Sequence, residues 1–251
     1  MAVHAGENDI KLIRAIFEAR YDEGFRYLDH CGANIVEIQR YSRLWEVAKA
    51  DVGGTNLHHK EHNLTLAFNQ RSMSVSNGEE LDFIGGQRKV ESMSTAIERL
   101  YEITIATLAV PNTTRVGARF VFTAPADSVE DADAFLVKSI QSNVLEKCTE
   151  LLGATLVEIE LKAVFEDDAG YRQTIRLLTT GKEAPGLPPL EGFPVEGLKG
   201  LVAIDVDTFT RPNDGHVENA GRFFTESYFK SQSRARELFG WLKQKQKVRQ
   251  P

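Results

Sequence analysis

Residues 12–21 and 115–123 carry the same period of two. In the first stretch Ile13, Ala15, Phe17, Ala19 and Tyr21 alternate with Arg14, Ile16, Glu18 and Arg20. In the second, Val116, Ala118, Phe120 and Phe122 alternate with Arg115, Gly117, Arg119 and Val121. Side chains two apart share a face of a strand, so each stretch reads as a strand with one face buried. A single strand cannot bury its apolar face alone. Two such strands in one chain, each opening the same succession of elements, restrict the fold to a duplicated sheet covered by helices.

The succession after the first strand is a helix over 25–41, weakened by Gly32, then strands over 43–51 and 63–75. Gly53, Gly54, Thr55 and Asn56 mark the turn region between those strands. An amphipathic helix over 90–108 follows, with Met93, Ile97, Leu100, Tyr101 and Leu108 inward and Thr104 the one polar residue on the stripe. After the second strand, Asp127, Ser128 and Asp131 form a helix start in the manner of a capping box. That helix is expected to run to Leu152 on the stripe Phe135, Leu136, Ile140, Val144, Cys148 and Leu151, and to stop at Gly153. A hairpin over 155–165 and 171–180 turns near Asp167, Asp168 and Gly170. A last strand covers 201–209 and a long helix 217–245, with Phe224, Tyr228, Ala235, Leu238, Phe239 and Leu242 inward.

The expected fold is α+β: two similar βαββα-type halves, a mainly antiparallel sheet with helices on one face, and a long C-terminal helix. The halves are 1–110 and 111–251, an ancient duplication forming one compact unit. Residues 181–200 interrupt the second half with Pro185, Pro188, Pro189 and Pro194. So long an irregular stretch reads as a lid, a binding loop or a packed connector, pinned by Leu187, Leu190 and Phe193.

The 251 residues are 42% hydrophobic and 26% charged, as in an ordinary globular protein, with a formal net charge of -6. The acidic balance disfavours nucleic acid as a partner, although Lys243, Lys245, Lys247 and Arg249 form a basic tail. Cys31 and Cys148 read as buried thiols in a reducing compartment. The first residues are polar and no apolar run approaches the roughly 20 residues needed to span a bilayer, so the cytoplasm is the expected location.

Three segments, Ala15-Ile16-Phe17-Glu18-Ala19-Arg20-Tyr21, Thr114-Arg115-Val116-Gly117-Ala118-Arg119-Phe120 and Leu201-Val202-Ala203-Ile204-Asp205-Val206-Asp207, stand in an order and at a spacing that go with a further likeness. Asn8 precedes the first and a long amphipathic helix follows the third. Together they resemble a sporadically distributed family of uncharacterised bacterial proteins of similar length. That family has no assigned activity, so the resemblance implies no catalytic role for any residue.

The polar faces of the strands supply the candidate site. Arg115 and Arg119 point together, as do Asp205 and Asp207. Glu158, Glu160 and Lys162 lie opposite Val157, Ile159, Leu161 and Ala163. Arg172, Thr174 and Arg176 complete a face of matched signs. One reading is a solvated face laced with ion pairs, each contributing roughly 0–1 kcal/mol. The other is a binding surface on which Arg115, Arg119, Arg172, Arg176, Asp205 and Asp207 act, the arginines gripping an anionic group bidentately.

Asp205 and Asp207 also form a pair of hard oxygen ligands for a divalent metal, though a small set with arginines competing. His58 and His62, near His59 and Glu61, are a weaker metal candidate beside a polar hairpin tip. Asp29-His30-Cys31 places its groups on different sides of a helix. Residues Gly85, Gly86, Gln87, Arg88 and Lys89 open a helix without a Walker pattern. No cofactor motif is present. No nucleophile, base and orienting group converge in the pattern, so the expectation is a non-enzymatic binding or assembly protein with a protein partner or self-association. The alternatives are a nucleic-acid-binding or processing protein and a metal-dependent hydrolase using Asp205 and Asp207. Phe223, Phe224, Tyr228, Phe229, Phe239 and Trp241 exceed one helical stripe, which points to self-association through the last helix.

Overall fold

In the computed structural model the described residues are 3, 9–22, 26–77, 81–82, 86–140, 142–167, 170–180, 200–211, 215 and 217–248. The first half runs β1 (Lys11–Tyr21), α1 (Arg26–Tyr41), β2 (Trp45–Asp51), β3 (Gly54–His59), β4 (Leu64–Phe68), β5 (Ser72–Asn77), β6 (Leu81–Asp82) and α2 (Gly86–Thr107). The second runs β7 (Thr113–Ala126), α3 (Val129–Ile140), α4 (Asn143–Leu152), β8 (Leu161–Glu166), β9 (Arg172–Thr180), β10 (Gly200–Phe209) and α5 (Ala220–Val248).

The strands form one ten-stranded antiparallel sheet in the order β2-β3-β4-β5-β1-β7-β10-β9-β8, with β6 paired to the start of β1. The two alternating strands of the sequence, β1 and β7, lie side by side at its centre, Ala15 opposite Phe120 and Ala19 opposite Val116. Each half places its last long strand, β5 or β10, against its first. α1, α2, α5 and α3 share one hydrophobic cluster with the inward residues of both halves, so these helices cover one face. α5 packs against both α2 and α3. At the α2 contact Gly221 matters: a Cβ there would stand 2.6 Å from the Ser94 carbonyl oxygen, and the Ser94 hydroxyl donates to the Gly221 carbonyl at 2.8 Å. Thr104, the polar residue on the α2 stripe, is buried and accepts from Asn34 Nδ2 of α1 at 3.5 Å.

Several expectations are corrected. Residues 43–75 make four strands rather than two. The Asp51 carboxylate takes the amides of Gly53 and Gly54, and Asn69 Oδ1 takes those of Arg71 and Ser72 at 2.7 and 3.0 Å. The Asn69 turn reverses the chain inside the stretch that reads as one strand over 63–75, and β3 forms where the turn region over 53–56 is expected. The helix expected to reach Leu152 stops at Ile140. Ser142, in extended backbone, caps a separate α4 by accepting from the Leu145 amide, and Gly153 ends it at φ 59. Val144 and Leu151, expected inward, are 72% and 74% exposed.

The strand expected from residue 155 begins at Leu161, because β8 is the sheet's outer strand and no described strand lies beyond it. Val157 is accordingly 74% exposed, and of the four residues expected inward around it, Ile159 is the one packed on the main cluster. Ile13 leaves its expected face. A bulge between Leu12 and Arg14 turns it to the opposite side, where it forms a small buried cluster with Val121, Leu178 and Ala203. Cys31 is half-buried and Cys148 exposed, both as free thiols. In α5, Phe223, Phe224, Tyr228 and Phe239 are buried, while Phe229 and Trp241 face away from the core at 39% and 45% exposed. Most of the 181–200 stretch, with Leu187, Leu190 and Phe193, and the Lys247 and Arg249 side chains lie outside the described residues. Among the described residues no helix is long and apolar enough to cross a membrane.

Candidate functional site

The sheet face opposite the helices carries the charged residues, and strand register decides which of them meet. β7 and β10 set Asp207 opposite Arg119, and β10 and β9 set Asp205 opposite Arg176. The long arginine side chains reach diagonally. Arg119 holds Asp205 with two parallel bonds, Nε to Oδ1 at 2.8 Å and Nη2 to Oδ2 at 2.7 Å. Arg115 donates to Asp207 Oδ2 at 2.7 Å and to Glu18 Oε2 of β1 at 2.9 Å, while its guanidinium lies 4.3 Å from the centre of the Phe209 ring. Glu18 also meets Arg20 at 3.1 Å. Arg176 bonds Glu160 and stands 4.0 Å from Asp205. Arg172 belongs to a separate group at the outer edge, where Glu166 joins it to Arg211.

The six candidate residues thus share one face but fall into a central ladder and an outer cluster. Burial separates them as well. The Asp205 side chain is 3% exposed and that of Arg119 24%, against 42% for Arg172 and 54% for Arg211. The figure for solvated pairs therefore does not apply to the centre. Burial works against the Arg119 charge, but the hydrogen bonds to Asp205 and the charges of Asp205, Asp207 and Glu18 overcome it, and its pKa is raised. Burial raises the Asp207 carboxyl above its ordinary value, against the pull of Arg115 and Arg119. Arg14 is lowered by desolvation and by the neighbouring Arg119.

Two chemical expectations meet competing partners inside the chain. The forks of Arg115 and Arg119 already grip carboxylates of the same chain, so an anion does not find them open. Both oxygens of Asp205 and Oδ2 of Asp207 are likewise engaged by arginine, and among the described residues no group of three His, Cys, Asp or Glu is placed to hold a metal ion. Nor do His58 and His62 share a face. His58 bonds Thr65 on the exposed side of β3, while His62 stacks on His59 at 4.7 Å. His59 Nδ1 accepts from the amides of Glu61 and His62, each at 3.3 Å, and so serves as a turn residue. Burial, then the nearby His62, lowers its pKa.

Sequence reasoning left out Glu18, Glu166 and Arg211. Glu18 sat in plain view on the polar side of β1; its role needs the β1–β7 register to be known. It also passed over Gln173 and Thr208, polar residues on the inward face of β9 and β10, in line with Ile175 and Val206.

No family model matches the chain, and no curated protein matches it. Among solved structures, that of Methanococcus jannaschii TBP is similar at 10% sequence identity with a TM-score of 0.30, over 94% of this chain and 99% of that one. At that score the likeness carries no argument about this chain.

Proposed function

We propose that this chain is a non-catalytic assembly protein whose charged sheet face extends, at its β8 edge, onto a second copy. The supporting observation is the outer end of the sheet. β8 is paired only to β9 among the described strands, and Leu161, Val164 and Phe165 are 42%, 58% and 54% exposed. Beside them in the chain, α4 exposes Val144, Leu151 and Leu152. An open edge with exposed apolar side chains is a template for strand pairing, and natural proteins that do not use it blunt it. The edge is also self-complementary. Antiparallel pairing about Val164 sets Lys162 of one copy opposite Glu166 of the other, twice over, as a two-fold interface requires. The central ladder pairs its own charges. Its alternating signs suit a protein surface better than the uniform charge of a nucleic acid.

Sedimentation velocity of the full chain across a concentration series tests the proposal. A wild-type dimer that becomes monomeric on Val164→Lys and weakens on Lys162→Glu supports it. A wild-type monomer at high concentration refutes it. Salt-sensitive binding of single-stranded RNA or DNA by that monomer would favour the nucleic-acid reading instead.

A further inference from the structure

A cavity of about 390 Å³ lies between the helix face of the sheet and the first turns of α5. That is the size of a small-molecule site. Its floor holds Thr208 and Gln173, cross-strand neighbours on β10 and β9 that are 3% and 5% exposed. The Thr208 hydroxyl is buried and has no hydrogen-bond partner among the described residues. Native proteins rarely leave such a group unanswered. Gln173 is held in one orientation. Its Oε1 accepts from Arg234 Nη1, and a guanidinium has only donors to offer, so the amide NH2 is turned away from Arg234. Ser227 of α5, also buried, faces the same space. Tyr171 and Phe223, with ring centres 5.6 Å apart, form an apolar wall.

The mouth carries both signs. Arg222 pairs with Glu226 at 2.7 Å and also feels the charge of Glu218, while Asp167, whose Oδ1 accepts from the Tyr171 amide at 2.9 Å, and the Lys230 ammonium complete it. A phosphate or nucleotide would meet two carboxylates, and a polyamine would meet a lysine. A zwitterion answers both, with its ammonium toward Asp167 and Glu218 and its carboxylate toward Lys230.

We infer that this cavity binds a small zwitterion, a polar amino acid or a dipeptide, whose polar side chain bonds the Thr208 hydroxyl and the Gln173 amide. The inference is independent of the β8 edge. The full chain is titrated by calorimetry and thermal shift with the amino acids, a set of dipeptides, inorganic phosphate and spermidine. At least one polar amino acid or dipeptide is expected to bind and raise the melting temperature, with phosphate and spermidine inert; free amino acids and dipeptides are separate arms and report the length. Thr208→Val keeps the shape and removes a hydroxyl that bonds nothing among the described residues, so the protein alone should melt no lower, while affinity for the zwitterion falls roughly tenfold or more. Lys230→Glu, at the exposed mouth, should abolish the same binding without affecting folding. The inference is overturned if no zwitterion binds, if phosphate or spermidine binds in its place, or if Thr208→Val and Lys230→Glu both bind as the wild type does.

Discussion

Replacing Arg119 by Ala probes the centre of the charged face. The change removes two short charge-assisted bonds and leaves the Asp205 carboxylate 3% exposed, with Arg176 Nη1 the nearest remaining cation among the described residues at 4.0 Å. A solvated pair would cost roughly 0–1 kcal/mol. Removing one member of a buried pair costs about 3–5 kcal/mol, because the other charge stays buried without compensation. Arg176 recovers part of that, so the expected loss is about 3 kcal/mol, at the lower end of the buried range. Arg119→Lys keeps the charge but gives up the bidentate fork, for about 1.5 kcal/mol. The double change Arg119→Met with Asp205→Leu removes both charges and fills the site with apolar groups, and should come close to wild type. Urea unfolding read as midpoint and slope measures all three. A loss below about 1 kcal/mol for Arg119→Ala, or a double variant no more stable than the single one, would refute the reasoning that Asp205 is an effectively buried charge.

Asp207→Asn retains an acceptor for Arg115 and removes the titration. Because burial raises the Asp207 carboxyl in the folded state, its contribution is fullest below the unfolded value of about 3.9 and is lost as pH rises through the folded value, so the cost of the substitution should shrink from acid toward neutral pH; a flat difference in urea midpoints would contradict this. His59 has the opposite sign: its folded pKa is depressed, so its contribution is present above about 6.5 and is lost as pH falls through the folded value. His59→Gln should therefore be less sensitive than the wild type to acidification below that value, read by thermal unfolding across a pH series. Gly221→Ala should destabilise by about 1–3 kcal/mol despite alanine's better helix propensity, because its Cβ would press to 2.6 Å of the Ser94 carbonyl oxygen; an unchanged urea midpoint would show that α5 shifts freely on α2.

The fold was legible wherever one periodicity ran unbroken. β1, β7 and β10 carry an alternating sequence over part of their length, and α2 and α5 carry long inward stripes, so the places of these elements followed from pattern. Failures came where a local side chain overrode the pattern. Asn69 folds back onto backbone amides and cuts an apparent strand, and Ser142 ends one helix and opens another within a stripe that reads as continuous. Hydrophobic spacing is blind to such turns, because a turn of two or three residues barely shifts the phase of the residues around it.

The site was legible at a different depth. Alternation says which residues share a face, and it correctly grouped Arg115 with Arg119 and Asp205 with Asp207. It does not say which strand lies beside which, or how the chain slides along its neighbour. That offset decides the chemistry. In the observed register Arg119 crosses to Asp205 and Arg115 to Asp207, so these four charges answer one another within the chain. The same logic shows why the better candidates lie elsewhere. A residue that breaks its face's pattern needs a local partner. The six charged residues keep to the polar face and have found theirs. Thr208 sits on the apolar face, in line with Val202, Ile204 and Val206, and has none among the described residues. A polar group on the wrong face of a strand with its hydrogen bond unmade is a sharper pointer to a ligand than any number of charges on the right one.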